Sequence, residues 1–267
     1  MKISYIIVAF NSEHLIKDCI NSIIRFNPDF DKFEIIVVDN SFDKKNLLTK
    51  QICDSYNNIV RYIPNQNKGY GNGNNIGISL SSGEIICIVN PDVRFLQPYL
   101  KDVNLFFQDT NTALVGFKQI GGPSLSFYLK PEYAIPLISN LLVKICNKLD
   151  LFCSRFFFLS GACFFISKSI FMEIGYFDEN IFMYHEESDI GNRLKNNNYK
   201  IKYIKNLRYD HLIGDRKDIS IRQLEMYFKS LKYYLEKYKF NVKLYLFFKK
   251  IELSIVSNVK LKQVLNL

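Results

Sequence analysis

Apolar and polar positions follow two rhythms along the first 90 residues. Continuous apolar runs rich in β-branched residues occupy 3–9, 33–38, 59–63 and 85–89, and between them apolar residues recur every three or four positions at 14–26, 44–56 and 74–80. The first kind of run is a buried strand and the second an amphipathic helix. Their alternation predicts a parallel sheet with helices on its faces. A strand such as Glu34-Ile35-Ile36-Val37-Val38 is apolar on both sides, as βαβ crossovers require. A helix from 101 and a strand at 113–117 complete this half. Residues 121–150 carry Pro123, Pro131 and Pro136 without a period and read as an irregular excursion. A strand at 159–167, a short helix at 168–174, a helix beginning near Glu186 and strand-like runs at 200–204 and 207–211 follow. The expected fold class is α/β: a Rossmann-like, mostly parallel central sheet flanked by helices, with a basic, helical C-terminal tail.

The 267 residues suit one such domain with an elaborated second half. With 48% apolar residues a packed core can form. Cys19, Cys53, Cys87, Cys146, Cys153 and Cys163 form no CxxC pair and read as reduced core residues of a cytoplasmic protein. The N-terminal apolar run is too short for a signal peptide, and the run at 156–166 falls short of the roughly 20 residues of a spanning helix. The net charge is +9, and eight of those charges come from residue 216 onward, where twelve Lys and Arg face four acids. There Tyr227, Phe228, Leu231, Tyr234, Leu235, Leu244, Phe247 and Phe248 recur at helical spacing. The tail is therefore amphipathic, with its apolar face either on an anionic membrane surface or on the protein's own core. It carries no recognisable nucleic-acid module.

Ligands of such sheets gather outside the carboxyl ends of the strands, where several polar stretches fall. Asp39, in Val37-Val38-Asp39-Asn40-Ser41, can accept a hydrogen bond from a base or ribose, or serve as an ordinary turn or cap residue. The run Asn67-Lys68-Gly69-Tyr70-Gly71-Asn72-Gly73-Asn74-Asn75-Ile76-Gly77 follows the third strand, whereas a dinucleotide fingerprint opens the helix after the first; Asn11-Ser12-Glu13, a helix cap, stands there instead. Its glycines permit positive φ and close approach at a helix start, beside a bound nucleotide or simply at a turn. In Asn90-Pro91-Asp92 the proline ends a strand and leaves Asp92 as the hard oxygen ligand that Mg²⁺ takes alongside substrate phosphates. His211 can add a nitrogen ligand, which favours Mn²⁺, contact a diphosphate, or be a structural histidine. Within Tyr184-His185-Glu186-Glu187-Ser188-Asp189, the acids Glu186 and Asp189 share a helix face with Arg193, and Glu187 is turned about 100° away. One acid can then be held by the structure while its neighbour meets a substrate. Favourable placement at the positive end of the helix dipole accounts for the same run.

Taken in order, Ile6-Ile7-Val8-Ala9-Phe10-Asn11, the Asp39 stretch, the 67–77 run, Asn90-Pro91-Asp92, Ser160-Gly161-Ala162, Gly175-Tyr176-Phe177-Asp178-Glu179, Glu186-Glu187-Ser188-Asp189 and His211-Leu212-Ile213-Gly214 resemble family 2 glycosyltransferases of the GT-A fold, particularly bacterial rhamnosyltransferase-like members. The resemblance spans residues 3–214. It implies an inverting, metal-dependent enzyme that moves a sugar from a dTDP-, UDP- or GDP-sugar to a hydroxyl of a glycan or lipid-linked acceptor in bacterial surface polysaccharide synthesis. Residues 1–117 would bind the nucleotide sugar, 118–215 the acceptor, and 216–267 would form a tail peripheral at the inner face of the cell membrane. The implied nucleotide-sugar site comprises Ala9, Phe10, Asn11, Asp39, Asn67, Gly69, Asn74, Asn75, Asn90 and Asp92. Asp39 would meet the base, and Asp92 with His211 would hold Mg²⁺ or Mn²⁺ beside the diphosphate.

The resemblance also implies that the Glu186-Glu187 pair, with Asp189 beside it, supplies the catalytic base. The chain departs from the family's pattern twice: Asn90 replaces the first acid of the metal motif, and Glu187 stands where Asp is frequent. The chemistry is consistent with these residues. A diphosphate is a good leaving group on a metal and needs no protonating acid, so one carboxylate, ionised from a pKa of about 4.3, suffices to take the acceptor's proton. Glu187 is the expected base, ahead of Glu186. A nucleotidyltransferase would show a Gly-rich, Arg/Lys-bearing loop where this chain has Ala9-Phe10-Asn11-Ser12. A catalytically silent nucleotide- or membrane-binding subunit would not need the acidic set.

Overall fold

The computed structural model describes residues 1–42, 44–121, 125–135, 138–212 and 220–256. Pro123 and Pro136, the Ile213-Gly214 pair after His211, and tail residues 216–219 and 257–267 lie outside them. The early apolar runs are strands β1 (Ile3–Ala9), β2 (Phe33–Asp39), β3 (Val60–Pro64) and β4 (Ile85–Val89), paired in parallel in the order β3-β2-β1-β4. Between them run α1 (Glu13–Arg25), α2 (Lys44–Asp54) and α3 (Tyr70–Ser79). Successive strand residues point to opposite faces, so each strand serves two cores. Tyr5, Ile7 and Val37 pack with Ile16, Ile20 and Ile23 of α1 on one side, and Ile6, Ile36 and Val38 pack with Ile78 of α3 on the other.

Beyond β4 the direction changes. β5 (Val93–Phe95), α4 (Leu100–Phe107) and β6 (Thr112–Ile120) come first. Then follow β7 (Phe127–Leu129), α5 (Ser139–Lys148), β8 (Phe157–Leu159) and β9 (Cys163–Ser167). The chain continues through α6 (Lys168–Glu173), α7 (Glu186–Asn196), β10 (Lys200–His211), α8 (Ile221–Lys237) and α9 (Val242–Val256). β9 lies antiparallel between β4 and β6, and β10 runs parallel to β6 with β5 antiparallel on its outer edge. β7 and β8 form a separate antiparallel pair.

The run at 159–167 is two strands, because Ser160-Gly161-Ala162 turns the chain out of the main sheet: Ser160 N bonds to Ser126 O, while Ala162 O accepts from Asn90 N. The 121–150 excursion contains β7 and α5. Val143 of α5 faces inward, but Ile138, Leu141, Leu142, Ile145 and Leu149 are 47–65% exposed; their helical spacing is present over only ten residues of helix, among prolines that mark an irregular segment. The two runs at 200–211 are one strand with a register shift between Ile204 and Arg208. Cys153 is exposed, in the turn before β8, whereas Cys19, Cys53, Cys87 and Cys163 are buried. In the tail, α8 buries Leu224, Phe228, Leu231, Tyr234 and Leu235, so its apolar face is on protein. No helix among the described residues is long and apolar enough to cross a membrane.

The seating of α3 depends on a missing side chain. A Cβ at Gly77 would stand 2.5 Å from Ile6 Cγ2 and 3.3 Å from Val38 Cγ2. Gly77→Ala must push α3 off the sheet at about 1–3 kcal/mol, while alanine's helix propensity returns at most about 1 kcal/mol. Urea unfolding should show a net loss of about 1 kcal/mol; stability equal to the parent's would show that α3 has room to spare.

Candidate active site

β5 acts as a clasp at the end of β4. Its antiparallel register pairs Val93 with His211 and Arg94 with Asp210, and Leu212 N donates to Asp92 O at 2.8 Å. His211 Nε2 thereby comes within 3.2 Å of Asp92 Oδ1, both side chains being buried. His211 Nδ1 is buried without a hydrogen-bond partner among the described residues. No three His, Cys, Asp or Glu side chains converge as metal ligands among these residues. One carboxylate and one imidazole fit a Mg²⁺ or Mn²⁺ ion that draws the rest of its shell from diphosphate and water, and do not make an all-protein cage.

Beside this corner lies a second cluster. The Tyr70 hydroxyl sits 3.0 Å from Asn90 Oδ1 and 3.1 Å from the Gly161 carbonyl, donating between them. Burial and the charges of Glu187, Glu186 and Asp92 hold its pKa well above the ordinary phenol value. The turn at 160–162 leaves the Gly161 Cα bare, and the Glu187 carboxylate occupies the notch: a Cβ at 161 would overlap Glu187 Oε1. Burial pushes Glu187 up to about 7, in place of the ordinary value expected from sequence. Glu186 points inward, is nearly fully buried and has one oxygen without a hydrogen-bond partner among the described residues. Burial first, then the neighbouring Glu187, raise its pKa well above the carboxylate range.

Asp189 does not join them. It is fully buried, pairs with Arg193 at 2.8 Å and with Lys237 of α8 at 2.6 Å, and accepts from the Tyr238 hydroxyl at 2.8 Å. Lys237 and Tyr233 also reach Asp178, and Ser230 Oγ donates to Met183 O. Helix α8 thus grips the segment leading into α7. That segment ends in Tyr184 (φ +74°) and His185 (φ +70°), consecutive left-handed residues against the Tyr227 ring of α8.

At the donor edge, Asp39 lies at the end of β2, where Oδ1 accepts from Ser41 N at 2.9 Å and Oδ2 from the Tyr62 hydroxyl at 3.3 Å. Asn11, also left-handed at φ +52°, donates through its amide to Ser41 Oγ. Ala9 O accepts from Asn40 N. Phe10 and Phe42 stand exposed with their rings 6.5 Å apart, edge to face. Residues of the 67–77 run do something else. Asn67 Oδ1 caps Gly69 N, Gly69 (φ +113°) passes so near Phe182 that a Cβ would meet its carbonyl at 2.6 Å, and Tyr70 N donates to Phe182 O. Asn75 bonds in both directions to the Phe177 backbone and to Glu179, and Asn74 is buried within α3. Gly69, Tyr70 and Asn75 therefore join the first half to residues 177–182, and Asn67 shapes the turn before them.

The sequence profile of glycosyl transferase family 2 matches residues 4–175. The chain belongs to this family. Among curated relatives, the low-salt glycan biosynthesis hexosyltransferase Agl10 of Haloferax volcanii is 29% identical over 74% of this chain, which spans 63% of that relative's length. Rhamnosyltransferase WbbL of Escherichia coli is 25% identical over 74% of this chain and 79% of its own. Among solved structures, mannosyltransferase PcManGT from Pyrobaculum calidifontis, in complex with GDP-Man and Mn²⁺, superposes with a TM-score of 0.67 at 14% identity, over 88% of this chain and 63% of that one. The fold is GT-A. Within this family 2 chain, Tyr70 and Gly161 are the residues of the cluster around Glu187 that sequence reasoning passed over. Tyr70 and Gly161 stood within quoted motifs, but neither residue type announces a role until the turn at 160–162 is seen.

The surroundings of Asp189 assign it a positioning role. Asp189→Ala leaves Arg193 without its buried counter-charge and Lys237 with Asp178 alone, and loss of a buried ionic partner costs about 3–5 kcal/mol. Chemical denaturation should show a loss of about 3 kcal/mol or more; an unchanged midpoint together with lost turnover would return Asp189 to the chemistry.

Proposed function

We propose that the chain is an inverting glycosyltransferase that moves a sugar from a nucleoside-diphosphate sugar to a hydroxyl of a glycan or lipid-linked acceptor during polysaccharide synthesis. The observation that carries this reading is the Glu187 carboxylate in the Gly161 notch, joined through one Tyr70 hydroxyl to Asn90 of the stretch that bears Asp92. The GDP-Man and Mn²⁺ held by the Pyrobaculum mannosyltransferase support the donor class and the metal. Residues 1–117 serve the donor and 118–215 the acceptor, and the α8 part of 216–267 serves as a brace. Asp39 reads the base, with Phe10 and Phe42 available to stack on it; dTDP-, UDP- and GDP-sugars are the donors to test. Asp92 and His211 would hold Mg²⁺ or Mn²⁺, which when bound supplies positive charge to the departing diphosphate.

Glu187 takes the acceptor proton. As the acceptor oxygen bonds to the sugar C1 and the C1–diphosphate bond breaks on the opposite face, the hydroxyl proton passes to the Glu187 carboxylate, and the anomeric centre inverts. Glu186 lies buried beside it, its pKa raised by burial first and then by Glu187.

Glu187→Gln should lower kcat by about 10²–10⁴-fold while nucleotide-sugar binding, followed by calorimetry, survives; full activity would move the base elsewhere. Only the carboxylate form is reactive, and its pKa lies at about 7. In the parent, kcat/KM should therefore fall about tenfold per unit of pH below that value and level off above it, and a flat profile would count against Glu187. Chelation should abolish transfer and Mg²⁺ or Mn²⁺ restore it, with Asp92→Asn requiring at least tenfold more metal; undiminished turnover in chelator would remove the metal from the scheme.

A further inference from the structure

Two helices turn the wrong face outward. On α5 and its two cap residues, Ile138, Leu141, Leu142, Ile145 and Leu149 fall at i, i+3, i+4, i+7 and i+11, one stripe, and all are exposed. The opposite side is the one that packs: Val143 is buried, and the Asn147 side chain bonds to the backbone of Ser126, Phe127 and Val143. Helix α9 repeats the arrangement. Leu244, Phe247 and Phe248 are exposed at i, i+3 and i+4, while Val242, Tyr245 and Leu246 pack against the α8 cluster. Asn140 of α5 donates to Glu252 of α9, which joins the two helices.

The exposed charge along these apolar stripes is of one sign. Residues 138–149 contain Lys144 and Lys148 and no acid, and residues 239–251 contain Lys239, Lys243, Lys249 and Lys250 and no acid. Lys144, Lys148, Lys239 and Lys243 are exposed. Glu252, the acid at the junction, is buried and taken up by Asn140 and Lys249. An apolar stripe edged by lysine matches an anionic lipid surface, where aliphatic and aromatic side chains enter the acyl boundary and ammonium groups meet the headgroups. A second copy of the chain fits less well, because it would oppose lysine to lysine across a shared apolar seam.

We propose that the outward faces of α5 and α9 together form a docking surface for an anionic bilayer. α8, whose apolar side is spent on the protein, is excluded from it. The placement bears on transfer, an inference that rests on the glycosyltransferase reading above. β7 and β8 flank α5, and β8 leads through Ser160 to Gly161, against which Glu187 rests. Docking at α5 brings the acceptor side of the site towards the lipid surface, where the hydroxyl of a lipid-linked acceptor is presented.

The chain has no tryptophan, so Leu142→Trp or Phe247→Trp gives a single reporter. Its emission should shift to the blue with vesicles of phosphatidylcholine and phosphatidylglycerol and not with phosphatidylcholine alone. In flotation, the full chain should bind the anionic vesicles at least tenfold more strongly than Leu141→Asp/Ile145→Asp or Lys144→Glu/Lys148→Glu, and added salt should weaken binding. Thermal midpoints equal to the parent's would confirm that these surface variants fold. Equal vesicle binding by parent and variants overturns the proposal. So does concentration-dependent self-association that the same variants abolish, which would assign the face to a second copy. Binding that appears only after removal of residues 257–267 would assign it to the chain's own C-terminus, and equally overturns it. Vesicle binding needs neither donor nor acceptor, so a protein that docks but transfers no sugar would defeat the enzymatic reading alone.

Discussion

The Tyr70 hydroxyl, set between Asn90 Oδ1 and the Gly161 carbonyl, binds together the start of α3, the end of β4 and the turn between β8 and β9. A buried phenol must find partners or lose several kcal/mol of solvation, and both partners exist only because neighbouring backbone is bent. Proline ends β4 at Asn90, and the 160–162 turn frees a carbonyl that a continuous strand would have used in its ladder. The same turn bares the Cα on which Glu187 rests. Tyr70 in turn reaches this position because Gly69 takes a positive φ against Phe182. The start of α3, the Asn90-Pro91-Asp92 stretch and the Glu187 notch are held in register by one satisfied polar atom.

Strand ends were the readable part of the site. Asp39, Asp92 and His211 follow apolar runs, so a parallel sheet alone carries them to one edge, and the helical offset between Glu186 and Glu187 already separates an inward acid from an outward one. Three kinds of information were not readable. The clasp of β5 on β10, which brings His211 to Asp92, is a pairing between residues more than a hundred positions apart, and three-residue strands have no pattern of their own. α5 hid because its ten residues follow a stretch punctuated by proline, which reads as a loop before the helical spacing is noticed. The displaced pKa of Glu187 comes from burial, a property of the finished fold and not of the residue. Asn67, Gly69 and Asn75 looked like ligand residues because they share a glycine-rich helix start with nucleotide sites, yet their hydrogen bonds go to residues 177–182 or stay within the turn.

The basic tail divides into two functions that composition had merged. In α8, aromatic hydroxyls and Lys237 are directed at Asp178 and Asp189, so charge there serves internal pairing. In α9, apolar side chains face outward and the lysines accompany them. Net charge counts both alike. Only the partner of each side chain tells them apart.

Tyr184 and His185 hold left-handed backbone just before α7, a conformation that costs of order 1–3 kcal/mol for each residue without glycine's freedom. Left to itself the turn would relax and carry Glu187 out of its notch. The rings and hydroxyls of α8 lean on it from the other side, so the latch on the Glu187 turn is supplied by a helix some forty residues later in the chain. The turn that carries Glu187 is in that sense spring-loaded: the tension sits in two φ angles, and the catch is a segment from another part of the chain.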